Sequence, residues 1–298
     1  MKKNSAELWI WRFFAFRLPA DWEMLSFSRE LETGRCAFAD RRNFRFEVNW
    51  RQVKGPPDFD RMLSDYAAKL ADDDAGKPSR LSRASWKGLA AEVDGLFTTR
   101  FGRYFGDRKC LLELVFLWPD KHDQDLETSV LTSVASMPCI DGNPQRWRAF
   151  GMDIAASPEL PLAEVNVRPA NVEMIFGDPT RGRCETFKRL GLVAEWLDAP
   201  LTKWIGRAAP SGMTFEKARS ADVHGHDVEQ LVCFRNLAPV RRALGLRRYY
   251  EAAAWICPRD KRLYHAAVSH IGRTALNERP FAGRILSCCE RTALNDQA

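Results

Sequence analysis

Positions 44–50 alternate strictly between apolar and polar residues, which is the most regular pattern in the chain. The apolar members are Phe44, Phe46, Val48 and Trp50, and the polar members are Arg45, Glu47 and Asn49. Because successive side chains of a β-strand point to opposite faces, this pattern predicts a strand with one buried and one solvated face. Such strands are typical of antiparallel sheets.

An internal repeat extends the pattern to the second half of the chain. When the sequence is moved along itself by 138 positions, Phe38 coincides with Phe176, and three polar residues also coincide with residues of their own type. These pairs are Asp40 with Asp178, Arg45 with Arg183, and Glu47 with Glu185. The repeat predicts two copies of one module, at 1–141 and 142–298, the second with a C-terminal extension. We expect the copies to be related by a pseudo-two-fold axis.

Apolar residues at helical spacing predict helices in both modules. In the first module the spacing favours helices at 59–70 and 125–137. In the second module the corresponding helices are expected at 201–205 and 263–271. These helices should cover the faces of the predicted sheets.

Two continuous apolar runs, 110–118 and 249–257, predict strands that are buried on both faces. The 138-residue shift aligns Glu113 in the first run with Glu251 in the second. Together with the hairpins and helices, these strands predict an α+β fold class, with two tandem antiparallel sheets flanked by helices.

The phrase F-x-L-P-x-x-W, formed by Phe16, Leu18, Pro19 and Trp22, opens the first module. With the order of hairpins and helices that follows, it resembles the Mog1/PsbP-like fold. That resemblance implies a twisted antiparallel sheet flanked by helices. It also implies a binding function, because members of this family mostly act as binding proteins rather than enzymes. It carries no functional residue to this chain.

The composition favours a cytoplasmic protein without a membrane anchor. The 298 residues are 45% hydrophobic and 28% charged. The apolar run at Leu8–Phe16 is interrupted by Arg12, so it does not fit a signal peptide. Apolar runs elsewhere fall short of the roughly 18 residues that a membrane span requires.

The net charge of +6 is modest for a chain of this length. A local basic cluster lies at 235–248, and we interpret it as a solvated hairpin. Nucleic-acid binding usually needs a denser basic face, so a nucleic-acid partner is not expected. The cluster comprises Arg235, Arg241, Arg242, Arg247 and Arg248.

The eight cysteines include no C-x-x-C pair, which favours reduced, buried thiols in a cytosolic protein. The adjacent Cys288 and Cys289 are the exception, because neighbouring thiols can hold a soft metal or sense oxidants. His224 and His226 form a second weak metal candidate. Two positions apart on a strand, both imidazoles would face the same side, but a third ligand such as Asp222 or Glu229 would be needed. We therefore expect no metal and no cofactor.

The polar residues shared by the two copies are the candidate binding residues. They are Arg45, Glu47, Glu113, Arg183, Glu185 and Glu251. One interpretation places the carboxylates in acidic pockets, where they would act as acids or bases. The other is a cross-strand lattice of arginine and glutamate on the polar face of the sheet. We favour the lattice, because active sites usually decay in one copy of a duplication, and we assign no catalytic residue.

These patterns lead to a functional hypothesis. We expect a non-enzymatic binding, adaptor or chaperone-like protein that acts through a protein partner. Ten tryptophans, a residue type enriched at interfaces, agree with that hypothesis. The alternative is a small-molecule-binding protein or enzyme that uses Glu113 and Glu251 in a cleft between the modules.

Overall fold

The computed structural model describes residues 6–72, 77–137, 143–178, 180, 182–276 and 285–289. The chain divides into two compact units, Met1–Pro138 and Cys139–Ala298. The predicted module boundary, between residues 141 and 142, falls outside the described residues.

The described residues of the first unit form ten strands and two helices. Strands β3 to β9 form a seven-stranded antiparallel sheet in the order β3-β4-β5-β9-β8-β7-β6. Strand β2 pairs antiparallel with both β1 and β10. The elements are β1 (Ala6–Trp11), β2 (Phe14–Pro19), β3 (Glu23–Phe27), β4 (Thr33–Ala39), β5 (Phe44–Gln52), α1 (Phe59–Asp72), β6 (Ser79–Arg83), β7 (Trp86–Val93), β8 (Leu96–Phe105), β9 (Cys110–Trp118), α2 (Gln124–Ser133) and β10 (Ala135–Ser136).

The second unit has a seven-stranded antiparallel sheet of its own, in the order β13-β14-β15-β19-β18-β17-β16. Strand β12 pairs antiparallel with both β11 and β20. The elements are β11 (Gln145–Ala149), β12 (Met152–Ala156), β13 (Leu162–Arg168), β14 (Asn171–Gly177), β15 (Cys184–Leu190), α3 (Val193–Trp196), α4 (Leu201–Ala208), β16 (Thr214–Asp222), β17 (Asp227–Asn236), α5 (Pro239–Ala243), β18 (Arg247–Ile256), β19 (Leu263–Gly272) and β20 (Leu286–Ser287).

Strand β5 adopts the two-faced arrangement that its alternating sequence predicts. Phe46, Val48 and Trp50 are buried in the core of the first unit. The intervening Glu47 and Asn49 are half-buried on the opposite, polar face. This polar face is the one on which the candidate residues of the first unit lie.

Local signals also explain where helix α1 begins. Pro56 and Pro57 lie in the connection between β5 and α1, and Asp58 Oδ1 accepts a hydrogen bond from the backbone amide of Arg61 at 3.1 Å. An aspartate in this position satisfies one of the free amides at a helix N-terminus. In the described part of the chain, α1 is the longest helix, with 14 residues, and no helix is long and apolar enough to cross a membrane.

The predicted α+β class is wrong. Of the described residues, 53% are in strands and only 15% in helices, so the protein is predominantly antiparallel β. The expected helix at 263–271 is instead β19, a central strand of the second sheet. Its residues from Leu263 to Val268 are all buried. The run combines apolar residues with His265, Ser269 and His270 and shows no strict alternation, so its pattern alone does not distinguish a buried strand from a helix.

The 138-residue shift aligns β4 with β14 and β5 with β15, but it fails further along the chain. Strands β7 and β8 are joined by two residues, Asp94 and Gly95, whereas 237–246, including α5, separate β17 from β18. Because of these extra residues, every later strand of the second unit lies further along the chain than the 138-residue shift predicts. As a result Glu113 lies on β9, beside β5, whereas Glu251 lies on β18, which is separated from β15 by β19. The predicted equivalence of these two glutamates is therefore wrong.

Candidate functional site

Arg45 stabilises the turn between β4 and β5. Its Nε donates a hydrogen bond to Asp40 Oδ2 at 2.5 Å, and the amides of Arg42 and Asn43 donate to Oδ1, each at 2.7 Å. Burial opposes the ionisation of Asp40, but these hydrogen bonds and the charge of Arg45 outweigh it and lower its pKa. Glu47 accepts a long hydrogen bond, 3.5 Å, from Asn49.

Arg183 and Glu185 form a different arrangement in the second unit. Arg183 Nη2 donates to Glu185 Oε1 at 2.7 Å. The amide of Ser157 donates to Oε2 at 2.9 Å, and its hydroxyl donates to Oε1 at 2.5 Å. Glu185 is only 2% exposed, so these contacts compensate a buried charge. The carboxylate connects β15 to the residue that follows β12.

Glu251 is also buried, with 2% exposure. Its Oε1 lies 3.0 Å from His270 Nε2 and accepts a hydrogen bond from the amide of Leu276 at 2.6 Å. The His270 ring is stacked on Tyr249, with centroids 5.4 Å apart. These contacts hold the segment after β19 against β18.

Glu113, by contrast, lines a groove of about 630 Å³ in the first unit, which we call the unit-1 groove. Its Oε1 accepts a hydrogen bond from Arg100 Nη1 at 3.0 Å, and its Oε2 accepts one from Asn49 at 3.1 Å. Both Glu113 and Arg100 have one-third of their side-chain surface exposed. The guanidinium of Arg100 also lies 4.7 Å from the centre of the Tyr66 ring.

Helix α1 forms the apolar wall of the unit-1 groove, and the polar face of the sheet forms its floor. The wall residues are Phe59, Met62, Leu63 and Tyr66. Gly102 on β8 allows the helix to approach, because a Cβ there would lie 3.1 Å from Phe59 Cε1. The groove thus depends on a glycine in the middle of a strand, where glycine often marks a close approach.

Among the described residues that line the unit-1 groove, four are cationic and one, Glu113, carries a carboxylate. The four cationic residues are Arg35, Arg51, Lys87 and Arg100. No histidine or cysteine is among the described residues that line it. The groove is therefore suited to an anionic ligand, and its lining offers no imidazole or thiol for proton transfer or nucleophilic attack.

Sequence patterns found Glu113 but missed these four cationic residues. Arg51 continues the alternation of Glu47 and Asn49, and that signal could have been followed further along β5. Arg35 lies on β4 and Arg100 on β8, and only the order of strands in the sheet shows that these two strands contribute to the same groove. The sequence therefore predicts which residues share a face of each strand, but it does not predict the groove that these faces form together.

His224 and His226 do not share a face. They belong to the tight turn between β16 and β17, where His224 has φ +55° and Gly225 has φ +75°. Residues with positive φ at both central positions form the type I′ turn preferred in hairpins. His224 is exposed, whereas His226 is 1% exposed and faces Cys257, Cys288 and Cys289.

The expected third ligands of that histidine pair have other partners. Asp222 Oδ1 accepts a hydrogen bond from the amide of Gly225 at 3.2 Å. Glu229 accepts from the Ser220 hydroxyl at 2.8 Å. Cys257 gives no signal in the sequence, because most cysteines of the chain lie in or beside apolar runs as it does.

No protein-family model matches this chain, and no curated protein matches it either. Among solved structures, one similar chain is a Bacteroides thetaiotaomicron VPI-5482 protein, with 14% identity, a TM-score of 0.28 and 51% of this chain covered. The chain spans about half (50%) of that protein. Another is the apo T6SS immunity protein TplEi from Pseudomonas aeruginosa, with 11% identity, a TM-score of 0.30, and coverage of 92% of this chain and 90% of that one. These distant neighbours do not establish a Mog1/PsbP-like family. The resemblance implies antiparallel sheets, and the structure has them.

Proposed function

We propose that this protein is a non-enzymatic binding protein whose unit-1 groove receives an acidic segment of a partner protein. The observation that carries the proposal is a groove with an apolar wall and four cationic side chains against one carboxylate. Arginine guanidinium groups recognise carboxylates through paired hydrogen bonds, and three of the four cations are arginines.

The apolar wall supports a peptide ligand. Met62 on α1 is 41% exposed, and a methionine side chain adapts to apolar groups of varied shape. A segment that alternates acidic and apolar residues would place carboxylates on the arginine side of the groove and apolar side chains against α1. Short segments of this kind commonly dock in grooves between secondary-structure elements.

The role of Glu113 supports binding over catalysis. Both of its carboxylate oxygens accept hydrogen bonds, from Arg100 and Asn49. Together with the Tyr66 ring, whose centre lies 4.7 Å from the guanidinium, these contacts hold Arg100 in place within the groove. Glu113 thus positions a cationic group, as in the cross-strand lattice that the sequence favoured.

A small anionic molecule is the second candidate ligand. The volume of the groove, about 630 Å³, falls within the roughly 300–1,000 Å³ of small-molecule sites. A small dicarboxylate could satisfy the arginines without using the apolar wall. The two candidates therefore differ in their dependence on Met62.

Fluorescence anisotropy with labelled decapeptides of alternating glutamate and leucine tests the proposal. The double variant Arg35→Glu/Arg51→Glu reverses two charges in the groove, and we expect it to weaken binding about tenfold or more. Arg41→Glu/Arg42→Glu makes the same change in net charge at two exposed residues outside the groove and should retain the affinity of the wild type.

Equal loss of affinity in both double variants would show attraction by net charge alone and would contradict the proposal. Binding of succinate or phosphate that is lost in Arg35→Glu/Arg51→Glu but unchanged in Met62→Ala, with no peptide binding, would favour the second candidate. Affinity capture from a native lysate provides a further comparison. The partner should be recovered by the wild type and by Arg41→Glu/Arg42→Glu, but not by Arg35→Glu/Arg51→Glu.

A further inference from the structure

Four metal-ligating side chains of the second unit meet at one point. They are His226, Cys257, Cys288 and Cys289, and their ligand atoms all lie within 4.8 Å of one another. They come from three separate parts of the chain: the β16–β17 turn, the residue after β18, and the two residues after β20. We propose that these residues bind one Zn²⁺ ion in a structural Cys₃His site.

The distances between the ligand atoms agree with tetrahedral zinc coordination. His226 Nε2 lies 3.4 Å from Cys288 Sγ and 3.6 Å from Cys289 Sγ, and the two sulfur atoms are 3.8 Å apart. With Zn–S bonds of about 2.3 Å and Zn–N bonds of about 2.0 Å, an ideal tetrahedron has edges of about 3.8 Å between sulfurs and about 3.5 Å between nitrogen and sulfur. The three distances among His226, Cys288 and Cys289 match these values, and Cys257 Sγ lies within 4.8 Å of each of the other ligand atoms.

The imidazole of His226 is oriented for metal binding. Its Nδ1 lies 3.2 Å from the backbone oxygen of His224, so an Nδ1–H would donate to that carbonyl and leave the Nε2 lone pair toward the thiols. Metal-bound histidines almost always have such a partner on the second ring nitrogen. The tight turn at His224 and Gly225 supplies this carbonyl, which gives the turn a role beyond joining two strands.

The thiols also have supporting contacts. Trp255 Nε1 donates a hydrogen bond to Cys288 Sγ at 3.3 Å, a contact that stabilises a thiolate. Cys257 is fully buried, and its backbone is fixed by hydrogen bonds with Arg262 and Lys261, both at 2.9 Å. The site is thus preformed on two strand ends and a turn.

The donor set determines the class of metal and its role. Thiolate and imidazole ligands select zinc over magnesium or calcium, which prefer oxygen. Four protein ligands leave no open position for water or substrate, as in structural zinc sites. Strand β20 has only two residue pairs with β12, at Ile154 and Asp153. A zinc ion would therefore fasten the segment 285–289 to the ends of β17 and β18.

Metal analysis of the full chain, purified with a tag that lacks histidine and without chelators, tests the proposal. We expect about one zinc per chain by mass spectrometry, and cobalt added to the zinc-free protein should give the absorption bands of tetrahedral cobalt thiolate. Cys288→Ser/Cys289→Ser and Cys257→Ser should each lower the zinc content at least about tenfold.

Cys233→Ser is the matched control, because Cys233 is a buried cysteine of β17 in the same unit and is not part of the cluster. It should retain the zinc content of the wild type. Should the cluster variants fail to fold, cobalt uptake by the wild type still decides the question. A folded, reduced wild-type chain that neither contains zinc nor takes up zinc or cobalt would overturn the proposal, and so would unchanged zinc content in the folded cluster variants.

Discussion

His265 is a buried histidine whose protonation should control the acid stability of the protein. It lies on β19 with 1% exposure, and its Nε2 is 3.4 Å from the hydroxyl of Tyr250. Burial, with a smaller contribution from the charge of Lys188, lowers its pKa to about 3. Between about pH 6.5, the ordinary pKa of histidine, and about pH 3, the unfolded chain binds a proton that the folded chain does not. The free energy of unfolding must therefore fall as the pH is lowered through this range, at up to about 1.4 kcal/mol per pH unit.

His265→Gln should remove this dependence. We expect the wild type to lose about 2 kcal/mol more than His265→Gln between pH 7 and pH 4.5, measured by urea unfolding. Tyr250→Phe removes the neighbouring hydroxyl but keeps the histidine, so it should retain the pH dependence of the wild type. Parallel pH profiles of the wild type and His265→Gln would contradict this assignment.

A second buried ionisable residue, Glu127, has an environment that its position in the sequence does not predict. Glu127 on α2 is fully buried and contacts Arg83, Thr99 and His122. Glu127 stands three and four residues before Val130 and Leu131, so helical spacing places it on the buried face of α2, but that spacing does not show which groups would compensate a buried carboxylate. Its partners come from β6, β8 and the loop before α2, so its environment depends on contacts distant in sequence.

The position of helix α1 in the groove depends on Gly102 of strand β8. Replacement by valine would place methyl groups where Phe59 of α1 lies, because a Cβ alone would be 3.1 Å from the Phe59 ring. We expect Gly102→Val to lower the free energy of unfolding by roughly 1–3 kcal/mol and to weaken acidic-peptide binding, because the helix that forms the wall must move.

Gly55→Val is the matched control, since a Cβ at Gly55 would have no neighbour within 4 Å. Urea unfolding and peptide anisotropy of the two variants provide the comparison. If Gly102→Val bound the peptide as the wild type does, α1 would not be the wall of the binding site.

Among the elements, those with local signals were the predictable ones. Helix α1 (Phe59–Asp72) coincides with the expected helix at 59–70, because prolines and a capping aspartate precede an amphipathic pattern. Strand β5 alternates as its sequence does. Strand β19, where the sequence predicts a helix, has no strict alternation, because the middle strand of a sheet is covered on both faces. The predominance of strands over helices depends on pairing between strands that are distant in sequence, and the pattern of a single segment does not show its partner strand.

Across the molecule, the repeat predicted some positions and misplaced others. The shift of 138 residues places β14 and β15 on β4 and β5, which are hairpins of equal length. Beyond them, the longer connection at 237–246 changes the spacing, and Glu251 falls one strand away from the position of Glu113. The shift of 138 residues therefore does not predict the unit-1 groove or the proposed zinc site, because each depends on the order of strands within its own unit.

The two proposed sites belong to different compact units, which leads to a prediction for the intact protein. The described groove residues lie between Ser28 and Glu113, and the proposed zinc ligands lie between His226 and Cys289. A structural zinc ion stabilises the folded state by its binding free energy, so its removal should lower the melting temperature by several degrees.

Removal of zinc should nevertheless leave the affinity of the groove for the acidic peptide within about twofold of its original value, because sites that share no residues couple weakly. Anisotropy before and after treatment with a chelator, with circular dichroism to confirm that the chain stays folded, measures both effects. Readdition of zinc should restore the melting temperature. A change in affinity of more than about fivefold in the folded, zinc-free protein would correspond to a coupling free energy near 1 kcal/mol between the sites. In that case the metal would regulate binding, and a purely structural role for zinc would be wrong.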